Sequence, residues 1–240
     1  MGDSVRALAH WAAAAQMEGS PQRWRTLAQT YLAQGRIEET YAALEAMLAL
    51  EPESSWARTR YGLILAASDP LRARPYLQAA SLDPDYGAVV RLLLGLLNTP
   101  DDPALPLQVG LLLAAQEHWA LAEYAFRYAA AWNYPMPLAE AYVALMRVRQ
   151  GRSPDAWLQA ALDAAPEDAD VRYVQGLVLR ALGDLIGSSQ AFFGAILSDP
   201  SNAAVYAELG YTYRLRGDLQ EAEYWRSEER RVGKECRSRW

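Results

Sequence analysis

A period of 34 residues runs through this chain and constrains its fold more than any other feature. Three pairs of like residues are separated by 34 positions: Gly176 and Gly210, Gly183-Asp184 and Gly217-Asp218, and Pro166 and Pro200. Pro52 and Pro84 mark a further interval of 32 positions. A period of this length is typical of arrays in which one small structural unit is stacked on copies of itself.

Each unit is predicted to contain two helices joined by a turn. Apolar residues recur at three- and four-residue spacing, as in Trp24, Leu27 and Tyr31, which is the helical pattern. The sequence has no sustained apolar–polar alternation and no Asn-Gly or Asp-Gly turn, so no strands are expected. Glycines follow the first helix of several units, and we expect them to end it in the left-handed conformation: Gly35, Gly183 and Gly217.

Another set of glycines lies inside predicted helices at a matching phase: Gly62, Gly110, Gly176 and Gly210. Glycine in a helix interior costs roughly 1 kcal/mol relative to alanine. We therefore expect the paired helix to approach so closely that a side chain would block it. Phe126 and Phe192, on the second helices, are predicted to fill the space beside these glycines.

These residues resemble the tetratricopeptide repeat, a helix–turn–helix unit of 34 residues. The unit that starts at Pro21 carries the pattern most completely, in Trp24, Leu27, Ala28, Tyr31, Leu44 and Pro52, although Thr40 replaces the family's small alanine. The units that start at Ala169 and Ala203 match in their glycines and aromatic residues, but Arg226 stands where an aromatic residue is expected. The resemblance implies an all-α fold, an α-α superhelix of stacked repeats, and a protein that binds other proteins.

The resemblance covers roughly residues 21–226, as about six units, some of them degenerate. Residues 1–20 are predicted to form an N-terminal capping helix, and residues 87–98 a single helix without a partner. Prolines in the link at 99–106 predict a kink between two sub-arrays. Residues 137–168 form a degenerate unit whose second helix is expected at about Asp155 to Ala165.

Residues 227–240 are predicted to be a non-native tail. The one lysine, Lys234, and the one cysteine, Cys236, both lie there, whereas every earlier basic residue is arginine. The segment resembles translated adapter or vector sequence appended to a gene. We expect the last native helix to stop near Arg226 and to leave Leu209 and Tyr213 poorly covered.

No catalytic or metal-binding arrangement is found in the sequence. His10 and His118 are far apart, a single cysteine cannot build a thiolate site, and no phosphate-binding or nucleophile motif occurs. We therefore predict that the chain is not an enzyme and uses no cofactor and no metal. The net charge of −6 argues against nucleic acid, and the sequence contains no apolar run of 18 residues to span a membrane. Without a leader segment, a cytoplasmic location is expected, and arginine-rich, lysine-poor usage suggests a bacterial source.

The resemblance implies that the first helix of each unit lines a concave groove. The positions that line the groove in the family can be assigned to residues of this chain. The predicted partner-binding residues are Arg25, Gln29, Trp56, Arg91, Arg147, Tyr173, Arg180, Tyr211 and Arg214. Thr59 and Leu63 occupy groove positions of the second unit. Arginine and tyrosine are residue types that anchor interfaces, and arginine can bind a carboxylate through two parallel hydrogen bonds.

Two functions are compatible with these observations. The first is a stand-alone scaffold that binds a peptide or protein segment in the groove, with self-association as a further expectation. The second is the regulatory or docking region of a longer, C-terminally truncated protein that carries an enzyme domain. A partner with the acidic tail of heat-shock chaperones is not expected, because the body of the chain has no lysine for the family's carboxylate clamp.

Overall fold

The computed structural model describes residues 10–11, 13–14, 17, 19–81, 86–131 and 136–238. Regular structure in these ranges is α-helical and contains no strand, which confirms the all-α prediction. The chain divides into two compact units, Met1–Trp132 and Asn133–Trp240. Most of the predicted capping helix, and Pro84, lie outside the described residues.

Seven helices are described in the first unit: α1 (Pro21–Ala33), α2 (Ile37–Leu50), α3 (Ser55–Ser68), α4 (Pro70–Ala79), α5 (Gly87–Leu96), α6 (Leu105–Ala115) and α7 (Trp119–Ala131). Six are described in the second: α8 (Pro137–Arg149), α9 (Asp155–Ala164), α10 (Ala169–Ala181), α11 (Leu185–Ser198), α12 (Ala203–Arg216) and α13 (Leu219–Ser238). No helix in the described part of the chain is both long enough and apolar enough to cross a membrane.

Consecutive helices pack as pairs, as the repeat predicts: α1 with α2, α3 with α4, α6 with α7, α8 with α9, α10 with α11, and α12 with α13. Helix α5 contacts both α4 and α6 and belongs to neither pair. The proline-containing link at 99–106 lies inside the first unit, and the kink proposed there stays a prediction.

The close helix contacts expected at the interior glycines are confirmed. A Cβ atom at Gly176 would lie 2.5 Å from Cε1 of Phe192, and one at Gly110 would lie 2.5 Å from Cε1 of Phe126. Both phenylalanines are fully buried. Leu77 occupies the same place beside Gly62 in the shortened second pair, with atoms 3.0 Å from such a Cβ. Beside Gly210 the nearest atom is the Ala222 carbonyl oxygen at 3.3 Å.

Helix α3 packs against four other helices of the first unit. The α6/α7 pair packs against it in addition to α2 and α4. Ala57 and every residue from Thr59 to Ala67 are buried as a result. The Tyr128 hydroxyl of α7 donates a hydrogen bond of 3.2 Å to the Ser68 carbonyl at the end of α3. The expectation that Thr59 and Leu63 line an open groove is therefore wrong.

Helix α13 does not stop near Arg226 but continues to Ser238. Leu209, expected to be poorly covered, is buried in an apolar cluster with Phe192 and Tyr206. Val232, from the segment interpreted as a tail, is buried in the same cluster. The early end of the last helix is a wrong expectation, while the non-native origin of residues 227–240 stays a prediction.

Candidate partner-binding site

Two of the positions predicted in the first unit, Arg25 and Trp56, contact other side chains of the chain. The guanidinium of Arg25 lies 4.9 Å from the Trp56 ring centroid, and that of Arg60 lies 4.4 Å from it. Cation–π contacts of this kind are worth about 0.5–2 kcal/mol, depending on desolvation. Trp56 therefore meets two guanidinium groups of its own chain and offers little ring surface to a partner.

This stack continues beyond the residues that the sequence predicted. Arg60 also lies 4.8 Å from the Tyr86 ring, and Tyr86 stacks on His118 at a centroid distance of 4.6 Å. Burial, and then the nearby positive charge of Arg60, lower the pKa of His118. Sequence reasoning missed Arg60, Tyr86 and His118, because no repeat spacing links α3 to the two turns that carry Tyr86 and His118.

The other two predicted residues of the first unit lie apart from this stack. Gln29 is exposed on α1. Arg91 on α5 donates a hydrogen bond of 3.0 Å from Nη1 to the Ser81 carbonyl, so its guanidinium closes a local turn. The first unit therefore assembles Arg25 and Trp56 but leaves Gln29 and Arg91 elsewhere.

In the second unit, α10 and α12 carry most of the predicted residues. Asp168 caps α10 by accepting hydrogen bonds from the backbone amides of Asp170 and Val171, and Asn202 caps α12 through the amide of Ala204. At the other end of α12, Gly217 adopts the left-handed conformation with φ of +88°. Sequence-encoded caps thus fix where α10 begins and where α12 begins and ends.

Tyr211 brings two predicted arginines together. The guanidinium of Arg180, from α10, lies 4.9 Å from the Tyr211 ring centroid, and that of Arg214, one turn along α12, also lies 4.9 Å from it. The Tyr211 side chain remains 42% exposed. An exposed tyrosine held by two guanidinium groups is a preordered surface, so little conformational entropy is lost when a partner binds.

Arg180 is also bonded to two residues of α12. It pairs with the Glu208 carboxylate at 2.5 Å, and its Nη1 lies 3.3 Å from both the Glu208 carbonyl and the Thr212 hydroxyl oxygen. Thr212 is fully buried. Glu208 was not predicted, although its position four residues before the buried Thr212 places it beside the groove.

Tyr173 lies on the same side of α10 and packs on Phe192, with a ring-centroid distance of 5.8 Å. Burial raises the pKa of its hydroxyl, and the Glu208 carboxylate raises it further. Burial also raises the pKa of Tyr142 on α8 to about 12, with smaller contributions from Tyr173 and Asp170. Both phenols are therefore neutral at physiological pH.

Arg147 does not join this cluster. Its Nε donates a hydrogen bond of 2.7 Å to the Ser153 carbonyl in the turn that follows α8. The repeat pattern is degenerate between residues 137 and 168, so the sequence assigned the groove position to Arg147 and overlooked Tyr142. The second unit thus assembles Tyr173, Arg180, Tyr211 and Arg214, together with Glu208 and Tyr142.

Comparison with known families identifies the repeat. Residues 21–64 match the sequence model of the tetratricopeptide repeat. This match spans α1, α2 and most of α3, and the glycine–phenylalanine contact found at Gly110 recurs at Gly176. The chain therefore contains a tetratricopeptide repeat.

Several solved structures overlap this chain over most of its length. YrrB, described as a TPR protein with an unusual peptide-binding site, is 14% identical, with 92% of this chain and 91% of that chain covered and a TM-score of 0.41. MamA from Desulfovibrio magneticus RS-1 is 18% identical, with 90% and 96% covered and a TM-score of 0.36. PilF of Pseudomonas aeruginosa is 13% identical, with 94% and 100% covered and a TM-score of 0.39. No curated protein matches the chain.

The surface formed by α10 and α12 presents side chains that can bind a ligand. Across the described ranges, no group of three or more histidine, cysteine, aspartate or glutamate side chains is arranged to hold a metal ion. Repeat arrays of this family serve as scaffolds for protein interactions through such concave surfaces. The exposed face of α10 and α12 presents aromatic rings and guanidinium groups, which are suited to contact a polypeptide.

Proposed function

We propose that the protein is a non-catalytic scaffold that binds an extended peptide or protein segment along α10 and α12. The observation that supports this most strongly is the exposed Tyr211 ring held by Arg180 and Arg214. Tyrosine and arginine dominate the binding energy of protein interfaces, and a ring that is already ordered loses little entropy on binding. The self-occupied Trp56 stack makes the first unit the weaker candidate for the same role.

A selection from a random peptide library displayed on phage tests this function. Selected peptides are synthesised, and their affinity for the full chain is measured by fluorescence anisotropy. Tyr211→Ser is expected to weaken binding about tenfold or more, as for a central interface residue. Tyr224→Ser is the matched control, because Tyr224 is 56% exposed on α13 and has no part in the groove cluster.

Two results would contradict the proposed function. Selection could return no peptide that binds the purified chain in solution. Alternatively, Tyr211→Ser and Tyr224→Ser could weaken binding equally, which would place the contact surface elsewhere.

Further properties of the protein are proposed from its sequence. We propose a cytoplasmic bacterial protein without cofactor, with neither nucleic acid nor membrane as its partner. The chaperone-tail clamp is not proposed, since Leu177 and Tyr211 occupy positions that the clamp needs for polar side chains. The alternative of a docking region in a longer protein loses one argument, because the last helix is not broken at Arg226.

A further inference from the structure

The two arginines that contact Tyr211 differ in their exposure and in their ion pairing. Arg180 is 15% exposed and is paired with Glu208, whose side chain is 30% exposed. Arg214 is exposed and stacks on Tyr211, and among the residues that the structure describes no carboxylate pairs with it. Only one of the two guanidinium groups is therefore available to an incoming acidic group.

We propose that Glu208 determines the specificity of the groove by neutralising Arg180, so that the partner segment carries a carboxylate that binds Arg214. This inference rests on the proposed function, because it concerns the same groove. It separates the roles of two residues that share one repeat position. Arg180 is a positioning residue that holds Tyr211 and Glu208, and Arg214 is the residue that binds the partner's carboxylate.

The charge balance of the cluster supports an acidic partner. Arg180, Glu208 and Arg214 together carry a net charge of +1, and the positive charge not matched within the cluster is that of Arg214. Two guanidinium groups lie near the Tyr211 ring, so a lysine or arginine of a partner would meet like charge there. A carboxylate can instead accept parallel hydrogen bonds from the Arg214 guanidinium.

The geometry also explains why Glu208 limits the affinity. A carboxylate that reached Arg180 would have to displace Glu208, which is held by a charge-assisted hydrogen bond and anchored to the same turn as Thr212. Partly buried pairs of this kind are screened less by salt than exposed ones. Neutralising Glu208 would leave Arg180 free to attract a second acidic group, because the cluster would then carry a net charge of +2.

Peptides selected from the random phage library serve as the probes for this inference. We expect them to be enriched in aspartate or glutamate. Each peptide is then synthesised in two forms, one as selected and one with its acidic residues replaced by their amides. Affinities of both forms are measured for wild type, Glu208→Gln, Arg214→Ala and the control Glu221→Gln, whose side chain is exposed on α13.

Glu208→Gln is expected to raise the affinity for the acidic form about three- to tenfold and to leave the amide form within about twofold. Arg214→Ala should weaken the acidic form about tenfold or more and leave the amide form nearly unchanged. Glu221→Gln should change neither. Circular dichroism on each variant verifies that the helical fold is retained, and glutamine at position 208 can still accept a hydrogen bond from Arg180.

The outcomes separate this inference from the proposed function. If no peptide of any composition binds, the proposed function fails and the inference fails with it. If peptides bind in a Tyr211-dependent way but lack acidic residues, the groove function stands and the inference is overturned. The inference is also overturned if Glu208→Gln changes the affinities of the acidic and amide forms equally.

Discussion

Gly176 and Gly95 are both inside helices, yet alanine should act on them in opposite directions. A Cβ at Gly176 would lie 2.5–2.8 Å from three atoms of the buried Phe192 ring, whereas a Cβ at Gly95 would meet nothing within 4 Å. We expect Gly176→Ala to lower the free energy of unfolding by about 1–3 kcal/mol through overpacking. Gly95→Ala should raise it by about 0.5–1 kcal/mol through helix propensity.

Chemical denaturation followed by circular dichroism measures both changes. The pair is its own control, because the two substitutions add the same methyl group to helices of the same chain. A stabilising Gly176→Ala would show that Phe192 can move aside at little cost, which would contradict the close contact.

Glu117 occupies a turn position that other units of the array give to glycine. Its φ is +60°, whereas the equivalent turns at Gly151, Gly183 and Gly217 have φ between +69° and +88°. The left-handed conformation costs a non-glycine residue roughly 1–2 kcal/mol. Glu117→Gly should therefore raise the free energy of unfolding. The gain is limited to about 1 kcal/mol, because glycine also increases the conformational entropy of the unfolded chain.

Thermal unfolding of Glu117→Gly and of Gly183→Ala tests this strain. Gly183→Ala should lower the melting temperature, because a Cβ there meets no atom within 4 Å and the cost is conformational alone. An unchanged melting temperature for both variants would mean that neither turn is strained by a side chain.

Helix α13 is the element whose length the sequence predicted incorrectly. Val232 lies beyond the expected end at Arg226 and is buried against the cluster of Phe192, Tyr206 and Leu209. Val232→Ala should lower the free energy of unfolding by about 1–2 kcal/mol, the cost of two buried methyl groups. Arg230→Ala, exposed on the same helix, should change it by less than about 0.5 kcal/mol.

Denaturant titrations of the two variants distinguish a packed helix from an appended segment. If Val232→Ala has no more effect than Arg230→Ala, residues 227–238 contribute nothing to the fold. That result would favour the interpretation of these residues as a non-native tail.

Packing between helices decided which of them keep their predicted groove residues exposed. Two helices at equivalent places in the repeat differ here: α3 is enclosed by the α6/α7 pair, whereas α12 keeps Tyr211 and Arg214 exposed. The single helix α5 interrupts the order of pairs in the first unit. The apolar spacing of α3 predicts a helix whether or not other helices cover it. The sequence therefore could not indicate that the groove face of α3 is buried.

At the level of the whole molecule, the two units should respond differently to acid. His118 lies in the first unit, and the sequence of the second unit, residues 133–240, contains no histidine. Burial and Arg60 lower the pKa of His118, so the folded state binds its proton less readily than the unfolded state does. The contribution of neutral His118 to the free energy of unfolding is fully present above its ordinary pKa of 6.5. This contribution is lost as the pH falls through the lower pKa of the folded state.

We therefore expect wild type to lose stability between about pH 7 and pH 5 more steeply than His118→Phe, which keeps a ring to stack on Tyr86. Denaturant unfolding at a series of pH values measures the two slopes. Equal slopes would show that His118 titrates alike in the folded and unfolded chains.

The sequence by itself determined the helical class, the pairing of helices and the contacts that repeat with a fixed spacing. The Gly176–Phe192 contact and the turn at Gly217 were predictable because each depends on residues close in the chain and on a local conformational preference. The same information predicted Tyr173, Arg180, Tyr211 and Arg214, which lie in two units whose glycines match the repeat.

Only the tertiary structure decided which of the predicted positions lie close together. Burial of α3 depends on contacts with α6 and α7. These helices are separated from α3 by about one repeat of sequence, and no local pattern predicts that they pack against it. The pairing of Arg180 with Glu208 spans 28 positions, and no local pattern predicts it. Residue type is readable from a sequence, but whether a guanidinium is satisfied by its own chain depends on neighbours that only folding brings within hydrogen-bonding distance.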